Sequence, residues 1–348
     1  MYVTKYILSF CLTAIVFSFL SCSDSTSFQI KNLTDYKNQY DLIYIYEREI
    51  FTIKSDGTNL RQITNLTKSI YEITVNNYES RIAFACASSG EPSEIYVMNR
   101  DGSEIKKISS NTGNHCANPN FLNSGDAVVY WCDGKLHRVN LAGNEYYQIT
   151  PDSIDIPSHF SYSISEDKIV FDGWTNTYRY LVMFIMNIDG TELSLIPKTN
   201  ISNGIAFSNP VFSKSGNQIV FTGTENESSE IYIINADGTG LKNLSNSTNI
   251  DDYANWYHND SKIYFESYKQ NSGTFLYTIN SDGSLIKQIT YKPFFMYFWS
   301  TISPDNSRLS FTLDTNSDDI KDTIIIVDIE SGQEMKLTEG AISPLWVN

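Results

Sequence analysis

The chain has 348 residues, a formal net charge of −15 and ordinary hydrophobic content (41%) with abundant aromatics (14%), enough apolar material for a sizeable packed core. Its acids are spread along the chain and no basic stripe occurs. That excludes a nucleic-acid-binding surface, which needs clustered Lys and Arg to neutralise phosphates.

In chain order, the first feature is an export-type front end. Lys5 precedes the apolar run Tyr6 to Leu20, 15 residues long. That is short of the about 20 residues a membrane-spanning helix needs, and it suits the core of a signal peptide. Phe19-Leu20-Ser21-Cys22 is similar to the bacterial lipobox, in which a small residue precedes the cysteine that becomes diacylated. Phe19 and Leu20 depart from its commonest residues. The resemblance implies residues 1–21 as a lipoprotein signal peptide, Cys22 as the lipid attachment site and 22–40 as a polar tether. Acyl chains at Cys22 would hold the protein at a membrane surface without spanning it. Ser23 after the cysteine, by analogy with sorting rules in enteric bacteria, points to the outer membrane.

From Asp41 onward one phrase recurs about seven times with a period of roughly 44 residues, the signature of a stacked repeat array. Asn209–Ser245 states it most fully: NPVFS, a KSGN turn, QIVFTG, a polar loop, EIYIIN, an ADGTG turn and LKNLS. Alternation of apolar and polar residues marks four short strands, and Gly, Asn and Asp mark the reversals. The other units begin at Asp41, Glu72, Asn118, His159, Asn255 and Ser300. A four-stranded unit cannot bury both faces alone, and closing copies around an axis solves that. The predicted fold is an all-β, seven-bladed propeller over residues 41–348. The first unit lacks its opening strand, and Ala341–Asn348 (AISPLWVN) matches it. A velcro closure, with the C-terminal strand innermost in blade one, is therefore expected, hiding the edges of an open array. The Asp-Gly pairs 56–57, 101–102, 189–190, 237–238 and 282–283 read as hairpin turns rather than calcium loops. No D-x-D-x-D-G run with a distal Glu is present.

Cys116 and Cys132 fall on the first two strands of one blade, which invites a disulfide. Pairing Phe121 with Val128 across the turn sets Ala117 opposite Cys132 and turns Cys116 to the other face. In regular register these thiols are therefore free, and a bulge would restore the bridge.

The phrase P-x-F-S…G, E-I-Y-x-x-N-x-D-G and L-x-x-L resembles the propeller repeat of TolB and its relatives. Pro210, Phe212, Ser213, Gly216, Glu230, Ile231, Tyr232, Asn235, Asp237, Gly238, Leu241 and Leu244 carry it here. Related propellers cap prolyl oligopeptidases and form oligogalacturonate lyases. The resemblance is specific for fold and poor for function. TolB itself is expected to have six blades behind a separate domain, so seven units behind a short tether imply a TolB-like protein and not TolB.

No G-x-S-x-G, HExxH, C-x-x-C or phosphate-binding glycine loop occurs, so no catalytic residue, cofactor or metal is assigned. The mouth formed by the blade-to-blade connections and the loops between second and third strands is the expected binding face. Tyr71, His115, His159, Trp174, Tyr178, Tyr180, Phe207, Tyr253 and Tyr268 fall there, with the aromatic segment Tyr291–Trp299 between blades six and seven. Candidate contacts are His115, His159, Trp174, Tyr253, Phe294, Phe295, Tyr297 and Trp299. Aromatics supply large contact area at low entropic cost, although Phe295, Phe298 and Trp299 equally suit inter-blade packing. Asp172, Asp318, Asp319 and Asp322 would make the rim acidic. The expected function is a non-catalytic binding or scaffolding module of the bacterial cell envelope, monomeric, with an envelope protein, peptide or glycan as partner. The alternative is a carbohydrate-active enzyme or glycan-binding protein using the central pocket with His115 and His159.

Overall fold

The computed structural model describes residues 40–76, 80–110, 115–156, 162–165, 168–174, 181–196, 205–226, 228–291, 296–314 and 322–347, without the side chains of 162, 296–299 and 314. Blade one contributes β1 (Asp41–Tyr46), β2 (Glu49–Lys54) and β3 (Arg61–Gln62). Blade two is β4 (Ser69–Asn76), β5 (Arg81–Ala87), β6 (Glu94–Asn99) and β7 (Lys106–Lys107). Blade three is β8 (Cys116–Phe121), β9 (Ala127–Cys132), β10 (Lys135–Asn140) and β11 (Tyr146–Gln148). Blade four is β12 (Tyr162–Ser165), β13 (Lys168–Gly173), β14 (Val182–Asn187) and β15 (Ser194–Ile196). Blade five is β16 (Ala206–Phe212), β17 (Gln218–Glu225), β18 (Ser228–Asn235) and β19 (Lys242–Asn243). Blade six is β20 (Ile250–Trp256), β21 (Lys262–Lys269), β22 (Gly273–Asn280) and β23 (Lys287–Gln288). Blade seven is β24 (Met296–Ile302), β25 (Arg308–Asp314), β26 (Thr323–Asp328) and β27 (Glu334–Glu339), and β28 (Ala341–Val347) follows.

The strands form seven four-stranded antiparallel sheets, and the first has the order β28-β1-β2-β3. The expected closure is present: Asp41 pairs with Val347 and Leu42 with Trp346. The fold is the seven-bladed β-propeller.

Second strands are buried on both faces, which is why they read as nearly continuous apolar runs. One aromatic at the same register of successive second strands, Phe84, Tyr130, Phe171, Phe221, Phe265 and Phe311, is at most 2% exposed. These rings fill the seams between blades. Tyr264 and Leu276 pack on Leu309, Phe311 and Ile325 between blades six and seven. Leu42 and Tyr44 pack on Ile324, Ile326 and Trp346 across the closure.

The repeated words have local causes. In N-x-D-G-[ST], Asp101 Oδ1 accepts both the backbone N–H (2.9 Å) and the hydroxyl (2.6 Å) of Ser103, and Asp189, Asp237 and Asp282 do the same for Thr191, Thr239 and Ser284. These acids are turn caps, as the sequence suggests. The following glycine sits at positive φ, and it also meets the preceding blade. A Cβ on Gly190 would lie 2.7 Å from the Ile149 carbonyl oxygen, and one on Gly102 would overlap that of Ile63. In the Q-I-T and L-S endings, the hydroxyls of Thr64, Ser109, Thr150, Ser245 and Thr290 accept the N–H of Ile50, Ile95, Leu136, Ile231 and Leu276 at 2.8–3.0 Å. Each such bond locks a two- or three-residue outer strand onto its third strand.

The inner strands differ from the sequence reading. They start several residues earlier, at Ser69, Cys116, Ala206, Ile250 and Met296, because a β-bulge interrupts their alternation. One extra residue on the inner strand flips every side chain beyond it. The bulge puts Asn118, Asn209, Tyr253 and Ser343 at φ of 50–55°. It also corrects the cysteines. Phe121 still pairs with Val128, but beyond the bulge Cys116 stands opposite Cys132, and the two form a disulfide with Cα atoms 4.2 Å apart. Cys86 is a buried free thiol, whose burial pushes its pKa up to about 11.

Candidate functional site

Inner strands line a propeller's axis, and their bulges lie near the end where the blade-to-blade connections arrive. Side chains converge there from successive blades. The residue after the buried aromatic of the second strand is Asp172 in blade four, Thr222 in blade five, Glu266 in blade six and Thr312 in blade seven, each at most 7% exposed. Asp172 Oδ2 accepts the Asn209 N–H at 3.1 Å, and Thr312 Oγ1 accepts the Ser343 N–H at 3.1 Å. Glu72 performs the same service for Asn118. A bulge leaves an inner-strand amide unpaired, and a side chain of the neighbouring blade satisfies it.

Blade six elaborates the pattern. Asp252 Oδ1 accepts three hydrogen bonds, from Thr222 Oγ1 (2.6 Å), Asn209 Nδ2 (2.9 Å) and the Tyr253 N–H (2.7 Å). Glu266 stands directly opposite Asp252 across β20 and β21. Burial first, and the Asp252 charge second, raise the Glu266 carboxyl well above the ordinary range. The Tyr253 side chain is 51% exposed, and its phenol is raised by burial and then by both carboxyls. Glu72 is likewise raised by burial, against the opposing hydrogen bond from Asn118.

The expected contacts divide into three groups. Trp174 and Tyr253 are exposed as expected, together with Tyr71 and Tyr268. Trp174 follows the last residue of β13, held by paired backbone hydrogen bonds with Asp155. His115 is exposed at the connection into β8; its Nδ1 accepts the Ser93 N–H at 3.4 Å and its own N–H donates to Asp133 at 3.2 Å. Cys22, His159, Tyr178, Tyr180, Phe294, Phe295, Asp318 and Asp319 lie outside the described residues. Tyr297 and Trp299 belong to the inner strand β24, and their side chains lie outside what the structure describes.

Two expectations are corrected outright. Phe207 is 3% exposed and meets Phe221 edge-on at 5.3 Å, a core ring and not a mouth residue. Asp172 is 2% exposed and caps Asn209, so it is not a solvated rim acid. Glu266 was missed because a lone Glu among apolar residues in a strand carries no motif. Its position after the repeated aromatic was the available signal. His137 is stacked between Tyr130 and Tyr146, and His258 reaches the Ile302 carbonyl, so both are packing residues.

Residues 182–345 match the family profile of the TolB beta propeller domain, so the repeats are of the TolB-like type. No curated protein matches the chain. Among solved structures, an oligogalacturonate lyase in complex with manganese has a TM-score of 0.65 at 14% identity, over 87% of this chain and 85% of that one. TolB from Acinetobacter baumannii gives 0.57 at 13%, over 86% and 78%. A Mycobacterium tuberculosis puromycin-hydrolyzing peptidase gives 0.65 at 9%, over 86% of this chain and 51% of that chain. At these identities the likeness is one of fold. The lyase's manganese prompts a direct test of fit. Among the described residues no three His, Cys, Asp or Glu side chains converge as a metal centre, and His115 has one ring nitrogen already turned to Ser93. The described donors do not fit that group.

Proposed function

We propose that this protein is an exported, lipid-anchored propeller that binds a partner of the bacterial cell envelope on its loop face. The observation that carries this reading is the pairing of exposed aromatics, Tyr71, Trp174, Tyr253 and Tyr268, with a bulged inner wall at the same end of the blades. Large amphipathic rings on a fixed scaffold are what protein hot spots use. The Cys116–Cys132 bridge supports export, since such bonds persist in oxidising compartments. Lys5, the apolar run to Leu20 and Ser21-Cys22 supply the address and Cys22 the anchor. The TolB-type repeat fits a periplasm-facing binding module on the outer membrane. A glycan ligand is the second reading, favoured by the same half-exposed rings as stacking platforms.

The test is an affinity capture from native envelopes with the full protein, run beside a variant carrying Ala at Tyr71, Trp174, Tyr253 and Tyr268. A protein retained by the first and lost by the folded second supports the reading. Capture unchanged by the four substitutions overturns the assignment of the face. Mass analysis of the mature N-terminal peptide reads the anchor: an acylated Cys22 supports it, and an unmodified Cys22 removes it.

A further inference from the structure

Blade six carries one arrangement that the architecture does not require. Where the bulge residue is left-handed in other blades it is one of the small polar residues Asn118, Asn209 and Ser343. Here it holds Tyr253, with φ at 52° and half its side chain in solvent. Beside it, Asp252 has one carboxylate oxygen saturated by three donors, while its Oδ2 receives none among the described residues. Glu266, 7% exposed and directly across from Asp252, has no hydrogen-bond donor among the described residues either. A carboxyl largely withdrawn from water without a donor costs free energy that a ligand's donor would recover. Among the described residues neither Asp252 nor Glu266 has an ion-pair partner.

We propose that Asp252, Glu266 and Tyr253 form a subsite for the ammonium or guanidinium group of a lysine or arginine side chain presented by the partner. This rests on the reading of the loop face as a protein-binding surface and names the chemistry it selects. The cation enters where Asp252 is partly open to solvent, takes the free lone pairs of Asp252 Oδ2 and Glu266, and lays its aliphatic stem along the Tyr253 ring. Asn209 and Thr222 hold the Asp252 carboxylate in place before binding, so little order is lost when the ligand arrives. Selectivity follows from charge. A neutral side chain of the same length leaves both carboxyls without donors.

The experiment titrates the full chain with Ac-Gly-Lys-Gly-amide, its norleucine counterpart and chitobiose, read by calorimetry. The lysine peptide is expected to bind at least about tenfold more tightly than the norleucine peptide. Glu266→Gln and Asp252→Asn should each weaken lysine-peptide binding about tenfold, and Tyr253→Ala should weaken both peptides. Because Asp252 also holds Asn209, Glu266→Gln and Tyr253→Ala decide the matter if Asp252→Asn fails to fold. Equal binding of the lysine and norleucine peptides, no binding to the folded wild type, or chitobiose binding that Glu266→Gln abolishes would each overturn the proposal. An envelope partner whose capture needs the loop aromatics but ignores Glu266→Gln would sink this subsite and leave the loop-face reading standing.

Discussion

Asp172 in β13 accepts the backbone N–H of Asn209 in β16 at 3.1 Å, joining blade four to the bulge of blade five. Asn209 in turn donates its side-chain amide to Asp252 of blade six at 2.9 Å. Three consecutive blades are thereby coupled at their inner ends through side chains, where the backbone ladders themselves stop at blade boundaries.

Asp172→Ala removes the acceptor of a part-buried amide and leaves it unsatisfied. A loss of about 1–3 kcal/mol of stability is expected, measured by urea unfolding. A change below about 0.5 kcal/mol would mean that water replaces the carboxylate.

The closing strand makes a second prediction. Trp346 is 4% exposed, its indole N–H donates to the Thr301 carbonyl at 3.2 Å, and the Arg308 guanidinium lies 5.1 Å from its ring centre. Trp346→Ala should cost about 3–5 kcal/mol, as large core truncations do. It should lower one cooperative calorimetric transition. A separate low-temperature transition, with the main one unchanged, would show that β28 frays alone.

The turn glycines allow strain and contact to be separated. Gly90 and Gly102 share a positive φ, but a Cβ on Gly90 meets nothing within 4 Å while one on Gly102 runs into Ile63. Gly90→Ala should cost about 1–2 kcal/mol from backbone strain. Gly102→Ala should cost clearly more, and equal melting shifts would contradict the interlocking of blade two's turn with blade one.

The pH dependence has a defined sign. Burial raises the Glu266 carboxyl in the folded protein, so between its unfolded pKa near 4.5 and its higher folded value the native state holds more protons. Stability contributed by this residue therefore falls as pH rises through that window. Glu266→Gln should flatten the decline and raise the melting temperature at pH 7. A lower melting temperature at pH 7 for the variant would mean that the ionised carboxylate is stabilised in the native state.

The repeat arithmetic made the propeller, its seven blades and its closure legible, because strands two to four of each unit obey simple alternation and turn chemistry. The inner strands were not legible beyond their C-terminal halves. At Cys116–Phe121 the extra residue at Asn118 inverts the faces, so parity argued against a bridge that exists. At Ile250–Trp256 the bulge hid Asp252 and Tyr253 from the period-2 pattern. Exposed aromatics could be guessed from loop position, as Trp174 and Tyr253 were. Phe207 could not, since a strand begins just before it and turns its ring onto Phe221. Glu266 is recognisable once the second strands are aligned in space.

Binding on the loop face is tested most directly by site-specific photocrosslinking in intact cells. The photoreactive residue is placed at Tyr71 or Tyr268 on the loop face, and at Leu241 or Leu285 beside the Asp-Gly turns, all exposed. A discrete protein adduct is expected from Tyr71 and Tyr268 and none from Leu241 and Leu285. Adducts from the turn positions alone, or none from any of the four in a protein shown to be folded and exported, would contradict a loop-face binding module.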